Sequence, residues 1–185
     1  MSSITNPFIF REYDIRGVAD RDPSDDLARD LGRALGTFWS RRGARRVAIG
    51  HDCRLSSPRL FAAMRDGVLE AGLCVYDIGM VPTPLMYFAV FAWELDGGVQ
   101  ITGSHNPPED NGFKMMVGQS TMSGDEIRGL RAMIERQQFA RAPGGHLVER
   151  DPLPGYVGFV KGNVSLARTA LRIAIDAGSG AAGPT

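Results

Sequence analysis

The sequence lacks several features that mark whole classes of protein. Lysine and arginine total 21 against 21 aspartates and glutamates among 185 residues, so no net charge draws the chain to nucleic acid or an acidic membrane. No apolar run approaches the roughly 18 residues of a membrane span. The two cysteines, Cys53 and Cys74, cannot form a disulfide framework and lie outside zinc-ligand spacings. We therefore expect a soluble, cytoplasmic protein that binds neither nucleic acid nor membranes, with any anion site confined to a local cluster.

Apolar runs typical of strands alternate with segments of helical period. The strands are predicted at 47–49, 74–78, 99–101 and 113–117. The helices are predicted to begin at Asp22, Ser57, Thr83 and Ser123. The helix from Thr83 is apolar nearly all round, so we expect it to be buried. The alternation predicts an α/β fold, with a mixed, mainly parallel sheet and helices on both faces.

Proline and glycine gather at 142–145 and 152–154, which is typical of a linker. We therefore predict one domain over residues 1–150. Residues 151–185 should hold the linker, a helix at 155–163 and a strand at 171–175, the first elements of a truncated second domain of similar fold. Residues 178–183 match the dinucleotide pattern G-x-G-x-x-G, but the helix, second strand and acidic residue that would confirm it are missing, so we reject that interpretation.

A polar loop, Thr-Gly-Ser-His-Asn-Pro at 102–107, directly follows the predicted strand 99–101. Ser104 thus lies just past the carboxyl end of a strand, where open α/β sheets bind ligands. Gly103 permits backbone conformations that other residues avoid, and His105 can exchange protons. An ordinary turn is one alternative, because serine, asparagine and proline favour turns. A serine hydrolase is another, but its G-x-S-x-G elbow is absent.

Residues 102–107, followed by Asn-Gly-Phe-Lys at 111–114, resemble the phosphoserine loop of the α-D-phosphohexomutases. Four further segments resemble the same family in the same order: FREYDIRG at 10–17, GHDCR at 50–54, VPTP at 81–84 and DAGSG at 176–180. Chance agreement of five ordered motifs is far less probable than agreement of one. The chain therefore resembles the N-terminal portion of the phosphomannomutase/phosphoglucomutase type.

This resemblance implies an isomerase of carbohydrate metabolism that acts as an intramolecular phosphotransferase. A phosphoserine would give its phosphoryl group to a mannose or glucose phosphate, and the resulting hexose 1,6-bisphosphate would return the other phosphate. Phosphate would then move between O1 and O6 of the sugar. Such transfer depends on positioning and charge neutralisation. By this resemblance, Ser104 is the nucleophile and a Mg²⁺ ligand through its phosphate, and His105 and Lys114 act beside it in catalysis.

The resemblance also places Tyr13, Arg16 and Asn106 at the substrate. Arg16 is the stronger candidate of the N-terminal segment, because its planar fork suits phosphate oxygens. The alternatives are structural: Arg16 could pair with the neighbouring Asp14, and Tyr13 could belong to the core.

Asp52 and Arg54 match a pair that supports the floor of the site in the resembled family without contacting substrate. The aspartate run D-x-D-x-D-R, expected in the family's second domain, is missing from this sequence, so the remaining Mg²⁺ ligands should lie outside it. We therefore expect this chain alone to have negligible mutase activity. The alternative is a non-catalytic binding or regulatory domain that has the same fold.

Overall fold

A computed structural model describes residues 6–165, 167, 170 and 172–185. A 3-10 turn, Pro7–Ile9, precedes the regular elements. The strands are β1 (Ile15–Val18), β2 (Arg46–His51), β3 (Cys74–Met80), β4 (Gly97–Ile101), β5 (Asp110–Val117), β6 (Ser120–Thr121) and β7 (His146–Glu149). The helices are α1 (Asp25–Ser40), α2 (Ser57–Glu70), α3 (Thr83–Ala92), α4 (Gly124–Glu135) and α5 (Leu153–Asn163).

The seven strands form one sheet in the order β1-β5-β4-β2-β3-β7, with β6 paired to β5. The pairs β4/β2, β2/β3 and β3/β7 are parallel, whereas β5 is antiparallel to β1, β4 and β6. All strands except β5 therefore point the same way. The predicted α/β fold with a mainly parallel sheet is confirmed, and the carboxyl ends of β2 and β4 lie side by side.

Apolar side chains lie on both faces of the sheet and form two separate layers, because successive side chains of a strand point to opposite faces. Val47 and Ile49 of β2 pack with α1, α2 and α4 on one face. Ala48, between them, packs with α3 on the other face. Helices thus cover both faces, as predicted, and the open edge at the carboxyl ends of β2 and β4 is left for a site.

Helix α1 begins later than the sequence suggested. The predicted start at Asp22 is wrong: the helix begins at Asp25, and Ser24 is its N-cap, with its side chain accepting a hydrogen bond from the Leu27 backbone N–H at 3.2 Å. A serine side chain at the N-cap can accept a hydrogen bond from a free N–H of the first turn. The cap therefore fixes the start.

Helix α3 is only partly buried. Leu85, Met86, Ala89 and Val90 form the layer under the sheet, which confirms burial for that face. Phe91, however, is 48% exposed, so the expectation that the whole helix is buried is wrong. On its outer side α3 meets α5, where the Phe88 ring packs edge-to-face with Tyr156 and at a tilt with Phe159.

The structure differs from the sequence predictions at two places after residue 140. The segment predicted as linker contains β7, which adds to the sheet edge beside β3. The strand predicted at 171–175 is not formed at 172–175, since no described strand offers it backbone hydrogen bonds, and residue 171 lies outside the described residues. The division into domains at residue 150 stays a prediction.

None of the helices among the described residues has the length and apolar character that a membrane span requires.

Candidate active site

The site is built where two parallel strands end together. His51 of β2 pairs with Ile101 of β4, and the Asp52 backbone N–H donates to the Ile101 carbonyl at 2.9 Å. The residues that follow the two strands therefore face each other. Asp52 accepts a hydrogen bond from the Thr102 hydroxyl, with 2.8 Å between Oδ2 and Oγ1. This contact joins the turn after β2 to the Ser104 loop after β4.

The Asp52 carboxylate is fully engaged as a structural acceptor. Beyond Thr102, it accepts from the Ser57 hydroxyl at 2.5 Å, from the Arg54 backbone N–H at 3.0 Å and from the Gly103 backbone N–H at 3.3 Å. It also forms an ion pair with Arg54 at 3.1 Å. A carboxylate with five donors, its side chain only 13% exposed, has little capacity left for a ligand.

Arg54 uses all of its guanidinium nitrogens around the Ser104 loop. Its Nε contacts Asp52, and its two terminal nitrogens donate to three backbone carbonyls of the loop, those of Ser104, Asn106 and Pro107, and to that of Asp110 at the start of β5. The contacts to Ser104, Asn106 and Asp110 measure 3.1, 2.8 and 2.8 Å. A planar fork with five fixed donors suits this task, whereas a lysine has a single ammonium. Arg54 therefore fixes the shape of the loop through its backbone.

Gly103 is required by this arrangement. A Cβ atom placed on Gly103 would lie 2.5 Å from Cζ of Arg54 and 2.7 Å from the Asp110 carbonyl oxygen. Real Cβ atoms do not approach other atoms so closely, and the guanidinium is held by several bonds, so it cannot easily move aside. The glycine thus lets the loop lie directly against Arg54.

Ser104 has a left-handed backbone conformation, with φ of 57°, that is uncommon for a residue other than glycine. Its N–H donates to the Thr102 hydroxyl at 2.9 Å, and its carbonyl accepts from Arg54. The side chain is exposed, and its Oγ lies 3.3 Å from Nδ1 of His105. Both backbone groups are thereby fixed while the hydroxyl stays free to react. Residues held in unusual conformations by their surroundings often lie at functional sites.

A second group of polar residues reaches the same loop from β1 and β5. Arg16 donates from Nη1 to the Asn106 side-chain oxygen at 2.7 Å and from Nη2 to Asp14 at 2.5 Å. The same Asp14 oxygen lies 3.8 Å from Nζ of Lys114. Asn106 donates in turn to the Asp110 carboxylate at 2.7 Å. Arg16 therefore has its Asp14 partner, and it also contacts the Ser104 loop.

The Ser104 loop borders a cleft of about 750 Å³, which is large enough for a sugar phosphate. Ser104, His105 and Asn106 line it, together with Gln100 and residues 178–182. The described lining does not include Arg16, Lys114 or Tyr13, although Arg16 reaches it through Asn106. Tyr13 is 72% exposed, so it does not belong to the core.

Magnesium does not fit the residues of this chain alone. Among the described residues there is no group of three or more histidine, cysteine, aspartate or glutamate side chains that could hold a metal ion. The carboxylate that follows β2, that of Asp52, is already used by five donors. We therefore derive no catalytic step through a metal.

Sequence reasoning did not assign three of the residues that organise the site: Asp14, Ser57 and Thr102. Thr102 lies inside the loop motif, and its position two residues before Ser104 could have indicated a side chain that bonds to the backbone. Asp14 lies between Tyr13 and Arg16, and the sequence suggested it only as a structural partner of Arg16. No local signal could have shown that it also reaches Lys114, 100 positions away.

Comparison with known proteins identifies the family. Residues 7–141 match the family model for the alpha/beta/alpha domain I of phosphoglucomutase/phosphomannomutase. The chain is 43% identical to a phosphoglucomutase of Neisseria gonorrhoeae over 184 residues, which are 99% of the chain and 40% of that relative. It is 40% identical over 175 residues to a phosphomannomutase/phosphoglucomutase of Pseudomonas aeruginosa, covering 95% of the chain and 37% of the relative.

A solved structure of a phosphoglucomutase/phosphomannomutase family protein from Burkholderia thailandensis is also similar, with a TM-score of 0.84 and 38% identity. The similarity covers 89% of this chain and 38% of that one. The chain thus spans about two fifths of the length of the relatives it matches. On its sequence, its fold and the matched domain, the chain belongs to the phosphoglucomutase/phosphomannomutase family.

Proposed function

We propose that the chain is the N-terminal part of a phosphohexomutase in which Ser104 carries the phosphoryl group. The full protein would interconvert the 1-phosphate and 6-phosphate of mannose or glucose through a hexose 1,6-bisphosphate. One observation carries the proposal: Ser104 presents an exposed hydroxyl to an open cleft while both of its backbone groups are fixed by Thr102 and Arg54. A phosphoryl carrier needs this combination of a rigid backbone and an accessible oxygen.

In the proposed transfer, phosphorylated Ser104 gives its phosphoryl group to a hydroxyl of the bound hexose phosphate. The bond between Ser104 Oγ and phosphorus breaks, a bond between the sugar oxygen and phosphorus forms, and the proton of the sugar hydroxyl passes, by way of His105, to the departing Ser104 Oγ. The second half of the reaction reverses this on the other phosphate of the bisphosphate. His105, 3.3 Å from Ser104 Oγ, is placed to exchange the proton of the serine hydroxyl when the carrier is recharged.

The cations near the Ser104 loop, Arg16 and Lys114, would neutralise the negative charge of the phosphoryl group. Phosphoryl transfer spreads negative charge over the oxygens of the moving group, and fixed cations stabilise that charge. Lys114 is our candidate for this role. Arg16 and Asn106, which are bonded to each other, are candidates for contacting the substrate, with Tyr13 at the exposed end of the same N-terminal segment.

The experiment is a coupled mutase assay on the full-length protein with glucose 1-phosphate and mannose 1-phosphate. Ser104→Ala should abolish turnover of both, because the variant has no oxygen to carry phosphate. Ser120→Ala, an exposed serine on the short edge strand β6, should retain wild-type turnover. The isolated 185-residue chain should show negligible turnover. Activity that persists in Ser104→Ala would refute the proposal, and a full-length protein with no mutase turnover would favour the non-catalytic alternative.

A further inference from the structure

We propose that Asp14 is a positioning residue that holds Arg16 firmly and Lys114 only weakly. Arg16 would then stay in place, whereas Lys114 could be released to a phosphoryl group on Ser104. The inference rests on the proposed function of Ser104. One carboxylate oxygen, Oδ2 of Asp14, bonds Arg16 at 2.5 Å and lies 3.8 Å from the ammonium of Lys114. The two contacts differ so much that a single anion can anchor one cation and merely retain the other.

Arg16 is the fixed cation. Its side chain is 11% exposed and that of Asp14 is 14% exposed, so water competes little for their contact. A second bond, from Arg16 to the Asn106 amide oxygen at 2.7 Å, ties the guanidinium to the Ser104 loop. Charge-assisted hydrogen bonds of this length are among the strongest in proteins. Arg16 therefore links β1 to the loop and has two partners to leave before it could move.

Lys114 is the releasable cation. A separation of 3.8 Å allows attraction between the charges but is too long for a hydrogen bond. The Lys114 side chain is 29% exposed, and in the sheet the residue lies opposite Gln100, which lines the cleft. A phosphoryl group on Ser104 offers three acceptor oxygens and nearly two negative charges, more than the single charge of Asp14. Lys114 would therefore turn from Asp14 to the phosphoryl group, while Arg16 stays in place.

The backbone of Asp14 is held firmly enough for this role. Its carbonyl accepts from the Arg11 N–H at 2.9 Å, and the next residue, Ile15, is completely buried and pairs with Phe113 of β5. Phe113 directly precedes Lys114. Asp14 thus directly precedes β1, and Lys114 lies in β5, the strand paired with β1, so the pairing of the two strands brings the carboxylate and the lysine together.

The test compares Asp14→Asn with Glu12→Gln in the full-length protein. Both changes remove one carboxylate from the same segment, but Glu12 is exposed, and in its only described ion pair, with Arg128 at 3.7 Å, neither residue lines the cleft. Asp14→Asn should lower kcat by about 100-fold, the loss that misplacing catalytic groups by about 1 Å can cause. KM should change by less than about threefold, because Arg16, the candidate substrate contact, keeps its hydrogen bond to Asn106, and the amide oxygen of the new asparagine can still accept from it. Glu12→Gln should match the wild type.

A double-mutant cycle with Lys114→Ala separates positioning from a general structural role. If Asp14 acts through Lys114, adding Asp14→Asn to Lys114→Ala should cost well under the roughly 100-fold seen in the wild-type background. Equal losses in both backgrounds would overturn the inference. Should Asp14→Asn fail to fold, Asp14→Glu decides in the same cycle: a lower kcat coupled to Lys114 supports the inference, and a wild-type or uncoupled kcat overturns it.

The outcomes also distinguish this inference from the proposed function. If Ser104→Ala abolishes turnover while Asp14→Asn leaves kcat unchanged, only the role of Asp14 is wrong. If Ser104→Ala keeps its turnover, both proposals fall.

Discussion

Replacing Arg54 by lysine should loosen the Ser104 loop and lower the stability of the chain. The arginine holds three loop carbonyls and that of Asp110 at the start of β5, and its hydrogen bonds to Asn106 and Asp110 are partly buried, at 2.8 Å each. Water can replace the two exposed hydrogen bonds, but a lysine cannot reach both partly buried carbonyls. Since at least one of these two hydrogen bonds is broken and each costs about 1–2 kcal/mol, we expect the free energy of unfolding to fall by about 1–4 kcal/mol.

Urea unfolding of the 185-residue chain measures this fall in stability, and hydrogen exchange reports on the loop amides. Arg131→Lys is the matched control, since Arg131 makes an exposed pair with Glu135 within α4, a type of ion pair worth about 0.3–0.5 kcal/mol. Gly103→Ala should also destabilise the chain, because its new methyl group would collide with the Arg54 guanidinium. A stability of Arg54→Lys within about 0.5 kcal/mol of Arg131→Lys would refute the argument that Arg54 clamps the loop.

Two further predictions concern titratable groups elsewhere. Burial raises the pKa of the Cys74 thiol, whereas Cys53 is exposed at the cleft, so a thiol reagent at neutral pH should label Cys53 rapidly and Cys74 only after unfolding. Equal labelling rates would contradict this burial. Hydrogen bonds from Arg33 lower the pKa of Glu70 below its ordinary value, so its contribution to stability is complete above that ordinary value and is lost as the pH falls through the lowered one. Urea titrations between about pH 6 and pH 3 should show a smaller acid-induced loss of stability for Glu70→Gln than for the wild type, and an identical loss would argue against the shift.

The sequence predicted the parts of the fold that depend on local pattern. Periodic apolar residues located α2, β2, β3 and β4 closely, because helical and strand periods differ so much. The start of α1 was missed by three residues, since the serine that caps the helix was not recognised as its boundary. Strand β7 was missed because its residues, His-Leu-Val-Glu, are mostly exposed at the sheet edge and have no apolar alternation to signal it.

The candidate site divides in the same way. The loop motif identified Ser104 and its neighbours, and the Asp-x-Arg pair identified Arg54 as a support. What could not be predicted was the connection between distant residues. Whether Asp14 meets Lys114 depends on the pairing of β1 with β5, and pairing between strands that are remote in sequence leaves no local trace in either.

The most direct test of the central claim is peptide mass spectrometry of the full-length protein after incubation with glucose 1,6-bisphosphate. We predict one added phosphate, located on Ser104, and its loss when the charged protein is mixed with a hexose monophosphate. A protein that turns over substrate without ever carrying phosphate on Ser104, or that carries it on another residue, would contradict the account.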